Sequence, residues 1–160
     1  MSRGSGRRRF LARMPAVCAL PLLAAGGAQA QTRTPLLDPT LAATIGKLTG
    51  GAPLQRGRVR LEMPADTDDA ALVPLRLAVD SPMTEADHVR RVYLVSQKNP
   101  VREMAVFHFG PHSGRARIVT NVRLADTQTI AAVAQMSDGS CWFATASVEV
   151  TVGSCGDTDA

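Results

Sequence analysis

Hydrophobic and polar positions change their period once along this chain. Leu41, Ile45 and Leu48 recur at helical spacing behind Asp38-Pro39, and Gly50-Gly51 follows. Aspartate as N-cap, proline in the first turn and glycine as the stop predict one short amphipathic helix. Beyond it the period becomes two. Val59, Leu61 and Met63 alternate with Arg58, Arg60 and Glu62, and Val73, Leu75, Leu77 and Val79 alternate in the next run. Such alternation predicts strands with one buried face. Pro74 removes a ladder donor from the second run and points to an edge strand or a bulge there.

Five more runs follow. Residues 89–96 are apolar on both faces, as in a central strand. Residues 104–109 are short and aromatic. Ala116, Ile118, Thr120, Val122 and Leu124 face one way while Arg117, Asn121 and Arg123 face the other. A tight connection at Ala125-Asp126 leads into residues 127–136, and Ser137-Asp138-Gly139-Ser140 is a hairpin turn. The last strand is expected from Trp142 to Val152. Ala144, Ala146, Val148, Val150 and Val152 line its inner face, with Thr145, Ser147, Glu149 and Thr151 outside. Regular turn signals between short strands predict an all-β fold: an immunoglobulin-like antiparallel β-sandwich of about seven strands with one short N-terminal helix. A length of 160 residues fits one domain, and no repeat or low-complexity tract marks a second.

Charge changes the picture chiefly at the N-terminus. Residues 1–30 hold five arginines and no acid, so removing them turns the formal charge of +4 into −1 for the remainder. The basicity belongs to a leader, and nothing argues for nucleic-acid binding. Arg7-Arg8-Arg9-Phe10-Leu11 is a basic n-region, residues 14–28 form an apolar segment too short and broken for a membrane span, and Ala28-Gln29-Ala30 is a cleavage site. The Arg-Arg-x-Phe-Leu order resembles a twin-arginine (Tat) signal; an ordinary Sec signal with excess arginine is the alternative. Residues 1–30 are thus expected to be a cleaved signal peptide, residues 31–152 the domain, and the location periplasmic without a membrane anchor. Cys18 suggests a lipoprotein, but Val17 before it does not fit. Two cysteines then remain, Cys141 and Cys155.

Cys155 lies near the end of the sequence in Gly153-Ser154-Cys155-Gly156, directly after the last expected strand. Two extended residues from Gly153 give it a reach of roughly 7 Å. A disulfide to Cys141 is disfavoured: a strand of about ten residues separates them by about 30 Å, whereas bridged Cα atoms lie within about 7 Å. Cys141 beside Trp142 reads as a semi-buried structural thiol. His88, His108 and His112 make no zinc-ligand spacing with the cysteines, so no metal or cofactor is expected, and the last two flank a turn as surface residues. Asp66, Asp68 and Asp69 read as a solvated turn. A thiol enzyme needs a histidine held against its cysteine, and Asp157 and Asp159 raise rather than lower the pKa of a neighbouring thiol. The residues leave a covalent carrier or a frayed tail with an incidental cysteine.

Further stretches carry a resemblance. Asp80-Ser81-Pro82-Met83, Asn99-Pro100, Ala105-Val106-Phe107, Val122-Arg123-Leu124-Ala125-x-Thr127-Gln128, Ser137-Asp138-Gly139 and Val150-Thr151-Val152-Gly153-Ser154-Cys155-Gly156 are similar in order and spacing to SoxY, the sulfur carrier of periplasmic thiosulfate oxidation. The similarity covers residues 36–156. It implies a non-enzymatic protein paired with SoxZ as a heterodimer, with Cys155 as the sulfur-attachment residue and Gly153, Ser154 and Gly156 in a carrier arm spanning 153–160. It implies transient contacts with SoxXA, which conjugates thiosulfate to the thiol, with SoxB, which hydrolyses off sulfate, and in some organisms with SoxCD. Ser154 and Asp157 replace arm glycines of the family. An exported binding or assembly module whose terminal cysteine makes intermolecular disulfides is the alternative.

Overall fold

The computed structural model describes residues 37–151. The chain divides into two compact units, residues 1–32 and 33–160, and all described residues belong to the second. The leader expected over residues 1–30 lies outside the described residues.

The helix forms where its end signals place it. Helix α1 spans Pro39–Thr49. The Thr40 amide donates to Asp38 Oδ1 at 2.8 Å, which satisfies one orphan donor of the first turn. Gly50 ends the helix in the left-handed region at φ 65°, where a side chain is strained, and its N–H reaches the Gly46 carbonyl. The other Asp38 oxygen accepts from Gln97 Nε2 at 2.9 Å, so the cap also fastens the helix to the β layer.

The rest of the described chain is β. The strands are β1 (Leu54–Gln55), β2 (Val59–Glu62), β3 (Asp66–Thr67), β4 (Val73–Val79), β5 (Val89–Ser96), β6 (Glu103–His108), β7 (Arg117–Val122), β8 (Gln128–Met136) and β9 (Cys141–Val150). The fold is all-β with a single helix, and seven of these strands are the seven that alternation and short apolar runs predict. The additional two, β1 and β3, are two residues long, too short to show a period. Both run parallel to β9, β1 at its start and β3 at its end.

Two sheets result. The larger has the order β1-β9-β8-β5-β6, with β3 also on β9, and the smaller is β2-β4-β7. One expectation is corrected here: β4, which contains Pro74, is the central strand of the smaller sheet, and no register shift marks it. The physical reason lies in which way the amides point. Val79 donates to Ala116 on the β7 side and Asp80 to Arg58 on the β2 side, so the even-numbered positions of β4 face β2. Strand β2 pairs no further than Glu62 opposite Arg76. The missing donor of Pro74 thus falls just past the end of β2, where no acceptor waits.

The larger sheet is buried on both faces. Val73, Leu75, Leu77, Val92, Leu94, Ile130, Ala132, Ala134 and Val148 meet in the core between the sheets. On the other face Tyr93, Val95, Ala131, Val133, Cys141 and Phe143 pack against Leu41 and Ile45 of α1. This second layer explains why residues 89–96 carry no polar face. Among the described residues no helix is long and apolar enough to cross a membrane.

Helix α1 is therefore a structural layer, and its anchor is measurable. Ile45 is fully buried under it. Ile45→Ala is expected to cost about 2–5 kcal/mol in denaturant unfolding; a loss below about 1 kcal/mol would mean that the helix does not belong to the cooperative unit.

Candidate functional site

Gly153, Ser154, Cys155 and Gly156 lie outside the described residues, so the site is approached through the strand that leads to them. Antiparallel β8 pairs β9 from Gln135 opposite Cys141 to Gln128 opposite Val148. Past Val148 this ladder stops, and other groups take over. The Glu149 amide donates to the Ala65 carbonyl at 2.8 Å and the Thr151 amide to the Thr67 carbonyl at 2.9 Å, both on the β3 side. Between them the Val150 amide donates to Thr127 Oγ1 at 2.9 Å on the β8 side. The Thr151 hydroxyl adds a bond to the Thr67 carbonyl at 3.2 Å. Three successive amides are thus taken up alternately from left and right. Cys155 follows four residues after Thr151, a contour of at most about 14 Å.

The loop bearing Asp66, Asp68 and Asp69 proves to be part of this clamp and is more than a solvated turn. Asp66 and Thr67 form β3, the Asp69 carboxylate accepts from the Ala71 amide at 2.9 Å, and the Leu124 amide donates to the Ala70 carbonyl at 2.8 Å. Sequence reasoning missed Thr67 and Thr127 as supports of the strand end. The signal for Thr127 was present only as a position in a similar stretch, and for Thr67 there was none.

A side-chain network builds the same end of the molecule. Buried Gln128 accepts from the Lys98 amide at 2.9 Å and donates Nε2–H to Asn99 Oδ1 at 2.7 Å. Asn99 also accepts from the Ala125 amide at 3.0 Å and donates to the Arg123 carbonyl at 2.9 Å. Gln97 accepts from the Thr129 amide at 3.1 Å. The Asn99-Pro100 and Thr127-Gln128 stretches therefore tie the β5–β6 turn to the β7–β8 turn beside the clamp. The remaining similar stretches sit elsewhere. Ser81 accepts from Met83 N at 3.2 Å, which holds Met83 at φ 53° with its side chain in the core, and Ser137 Oγ donates to the Ala86 carbonyl at 3.0 Å.

The surroundings of the strand end are acidic. Asp66, Asp68, Asp69, Asp126 and Glu149 are all exposed there, against Lys98 and Arg123. Lys98 Nζ pairs with Asp126 at 2.7 Å. The hydrogen bond from Lys98, then the Thr127 amide and the Lys98 charge, hold the Asp126 carboxyl below the usual carboxylate range.

Cys141 is a different kind of thiol. It opens β9, is completely buried under α1, and its Sγ lies 3.8 Å from the Gly139 carbonyl. Burial pushes its pKa up, and the Asp138 charge beside it adds to the shift. This matches the structural reading of the sequence and goes further, since the side chain is fully rather than partly enclosed. The histidines do not converge on it. His108 ends β6 and is exposed, His112 is exposed in the following turn, and His88 Nδ1 lies 3.0 Å from the Thr84 carbonyl.

These contacts fix three outcomes. Thr127→Val is expected to cost about 1 kcal/mol and to speed hydrogen exchange of the Val150 amide; unchanged protection there would remove Thr127 from the clamp. Alkylation followed by peptide mapping is expected to leave Cys141 unmodified in the native protein and to modify it once the chain is unfolded. Acid dependence follows from Asp126. A carboxyl depressed in the folded state stabilises above its unfolded pKa near 3.8 and loses that contribution as the pH falls through the folded value. Lys98→Met is expected to flatten the acid limb of the stability profile, read as Tm against pH; an unchanged profile would contradict the pairing.

With this geometry in place, the likenesses to known proteins acquire meaning. Solved structures resemble the chain at the level of fold. Two variants of the superoxide reductase (neelaredoxin) from Ignicoccus hospitalis align with a TM-score of 0.54 and 15% identity, one covering 59% of this chain and 80% of its own, the other 71% and 91%. A putative superoxide reductase from Thermotoga maritima aligns with a TM-score of 0.50 and 19% identity over 65% of this chain and 90% of its own. Identities this low speak for a shared two-sheet fold alone. A comparison with curated proteins returns no match. The profile of the sulfur oxidation protein SoxY matches residues 45–155, which takes in the second half of α1, every strand, the clamp at Thr67 and Thr127, and Cys155. The chain belongs to the SoxY family of sulfur oxidation proteins.

Proposed function

We propose that this chain is a periplasmic, non-catalytic sulfur carrier that holds thiosulfate-derived sulfur on Cys155 and presents it to Sox enzymes. One observation carries the reading. The last strand is secured through Thr151 by bonds from both sides, and the thiol follows only four residues later. A carrier needs a fixed root and a short tether, because the enzyme that receives the group must find it within a defined radius. Family membership supports the sulfur chemistry.

The chemistry assigned to Cys155 balances without any base from this chain. Conjugation joins the cysteine sulfur to the outer sulfur of thiosulfate: the thiol proton is lost and two electrons pass to the conjugating enzyme, for which a SoxXA-like haem protein is the candidate. Hydrolysis by a SoxB-like enzyme then adds water across the sulfur–sulfonate bond, releases sulfate and a proton, and leaves a persulfide on Cys155. A SoxCD-like enzyme is the further client in organisms that oxidise that persulfide sulfur. The carrier contributes position, and thiol activation falls to the clients. The acidic root and Asp157 and Asp159 repel anionic cargo, so clients of this carrier need cationic entrances. A SoxZ-like subunit is the proposed stable partner, and a Tat-like leader the proposed route of export. Ser154 and Asp157 are where the arm departs from the Gly-rich family pattern.

Intact mass of protein purified without reductant from thiosulfate-grown cells tests the reading. Adducts in sulfur or thiosulfate increments, removable by reductant, are expected on the native protein and on Cys141→Ser, and not on Cys155→Ser. A reductant-sensitive covalent homodimer as the main cellular form, without such adducts, would instead establish a disulfide-linked assembly module.

A further inference from the structure

Strands β2, β4 and β7 turn one face to the core and the other away from it, and register fixes the outward rows. Arg60, Ala78 and Arg117 stand side by side in one row, and Glu62, Arg76 and Val119 in the next. Arg115 lies just before Arg117, and buried Ala116 between them leaves both arginines on the outer side. Four arginines thus crowd one end of this face against two acids, Glu62 and Asp80, in a chain whose residues after the leader carry a formal charge of −1. Asp80 is taken by Arg60. Arg76, Arg115 and Arg117 are exposed and enter no ion pair among the described residues. Like charges this close on one sheet face repel. On the other side of β2 the fold offsets its arginines: Arg58 pairs with Asp87 at 3.1 Å and lies over the Trp142 ring, and Arg56 lies over Phe143.

Shape adds to charge. Ala78 is the smallest of the outward side chains on these three strands, and it floors an open pocket of about 420 Å³ lined by all four arginines. Facing Cβ atoms on adjacent strands lie about 5 Å apart, so Arg60 and Arg117 rise about 10 Å apart on either side of Ala78. The result is a notch one side chain wide, with a neutral floor and long cationic stems on both sides. Charges of one sign around a concave site focus their field into it. Guanidinium groups present paired N–H donors that match the edge of an oxyanion. Val119, 66% exposed in the middle of β7, stands beside Arg76 and outside this pocket. The notch is therefore walled by charge and not by apolar surface, which suits a small anion.

We propose that the notch over Ala78 reversibly binds a free, doubly charged tetrahedral oxyanion of the sulfate or phosphate type. Arg76 and Arg117 supply the principal donors, Arg60 closes the near side from its pair with Asp80, and Arg115 adds charge at the rim. The bound anion offsets the repulsion that the empty arrangement carries, so it stabilises the fold as it binds. Strand β9, which leads towards Cys155, belongs to the other sheet. The site does not depend on what Cys155 holds.

The test follows backbone amide shifts of the isotope-labelled protein, together with any subunit that co-purifies, at an ionic strength of about 0.01 M, where the Debye length is about 30 Å. Sulfate and phosphate each replace chloride at constant ionic strength. Saturable shifts are expected at the Arg76, Ala78 and Arg117 amides and not at Arg91 or Arg102, and the tighter of the two anions names the ligand. Arg76→Ser and Arg117→Ser, both at exposed positions, should each weaken binding about fivefold, and Arg91→Ser should leave it unchanged. Ala78→Leu fills the notch at constant charge and should abolish the saturable shifts. Ala78→Glu should abolish them as well and raise Tm, because it supplies the anion from within. Absence of saturable shifts at these amides would overturn the proposal, as would an undiminished response in Ala78→Leu and Ala78→Glu. Acetate binding as tightly as sulfate would also overturn it, in favour of carboxylates on an acidic protein.

Discussion

The structure depends on how β9 ends. A strand that loses its neighbour normally frays, because each unpaired amide turns to water and the following residues lose their constraint. Here the β8 ladder ends at Val148, yet the amides of Glu149, Val150 and Thr151 are bound to Ala65, Thr127 and Thr67. The clamp needs a loop from the other sheet on one side and a turn of its own sheet on the other. Both are in turn fixed, the loop by the Ala70–Leu124 bond and the turn by Asn99 and Gln128. The clamp thereby reaches Thr151, four residues before Cys155 in the sequence.

The environment of Cys141 fits a structural thiol. Cys141 sits beneath α1 with no access and a raised pKa, so it packs and does not react. Cys155 follows an acidic strand end in sequence, and in the role proposed for it the activation of the thiol falls to the client. On the proposed function, a client with cationic entrance groups is attracted to this acidic end of the described chain.

Much of the fold was legible in the chain. Asp38, Pro39 and Gly50 set both ends of α1, and alternation together with short apolar runs found the seven longer strands. What was not legible follows from physics that a local pattern does not hold. Two-residue strands such as β3 have no period. Pro74 reads as an edge signal, whereas the deciding fact is where β2 stops. The apolar run at residues 89–96 states that both faces are covered but not that α1 supplies one cover. For the site, position and residue type single out Cys155, which lies outside the described residues, and the SoxY-like stretches name Asn99, Thr127 and Gln128 without a role. Their role is three-dimensional: they hold the turn that holds the strand end.

Cargo localisation at peptide resolution tests the central claim most directly. Tandem mass spectrometry of protein taken without reductant from thiosulfate-oxidising cells should place the sulfur or thiosulfate increment on the peptide containing Cys155 and find Cys141 unmodified. An increment on Cys141, or an unmodified Cys155 throughout active thiosulfate oxidation, would contradict the account.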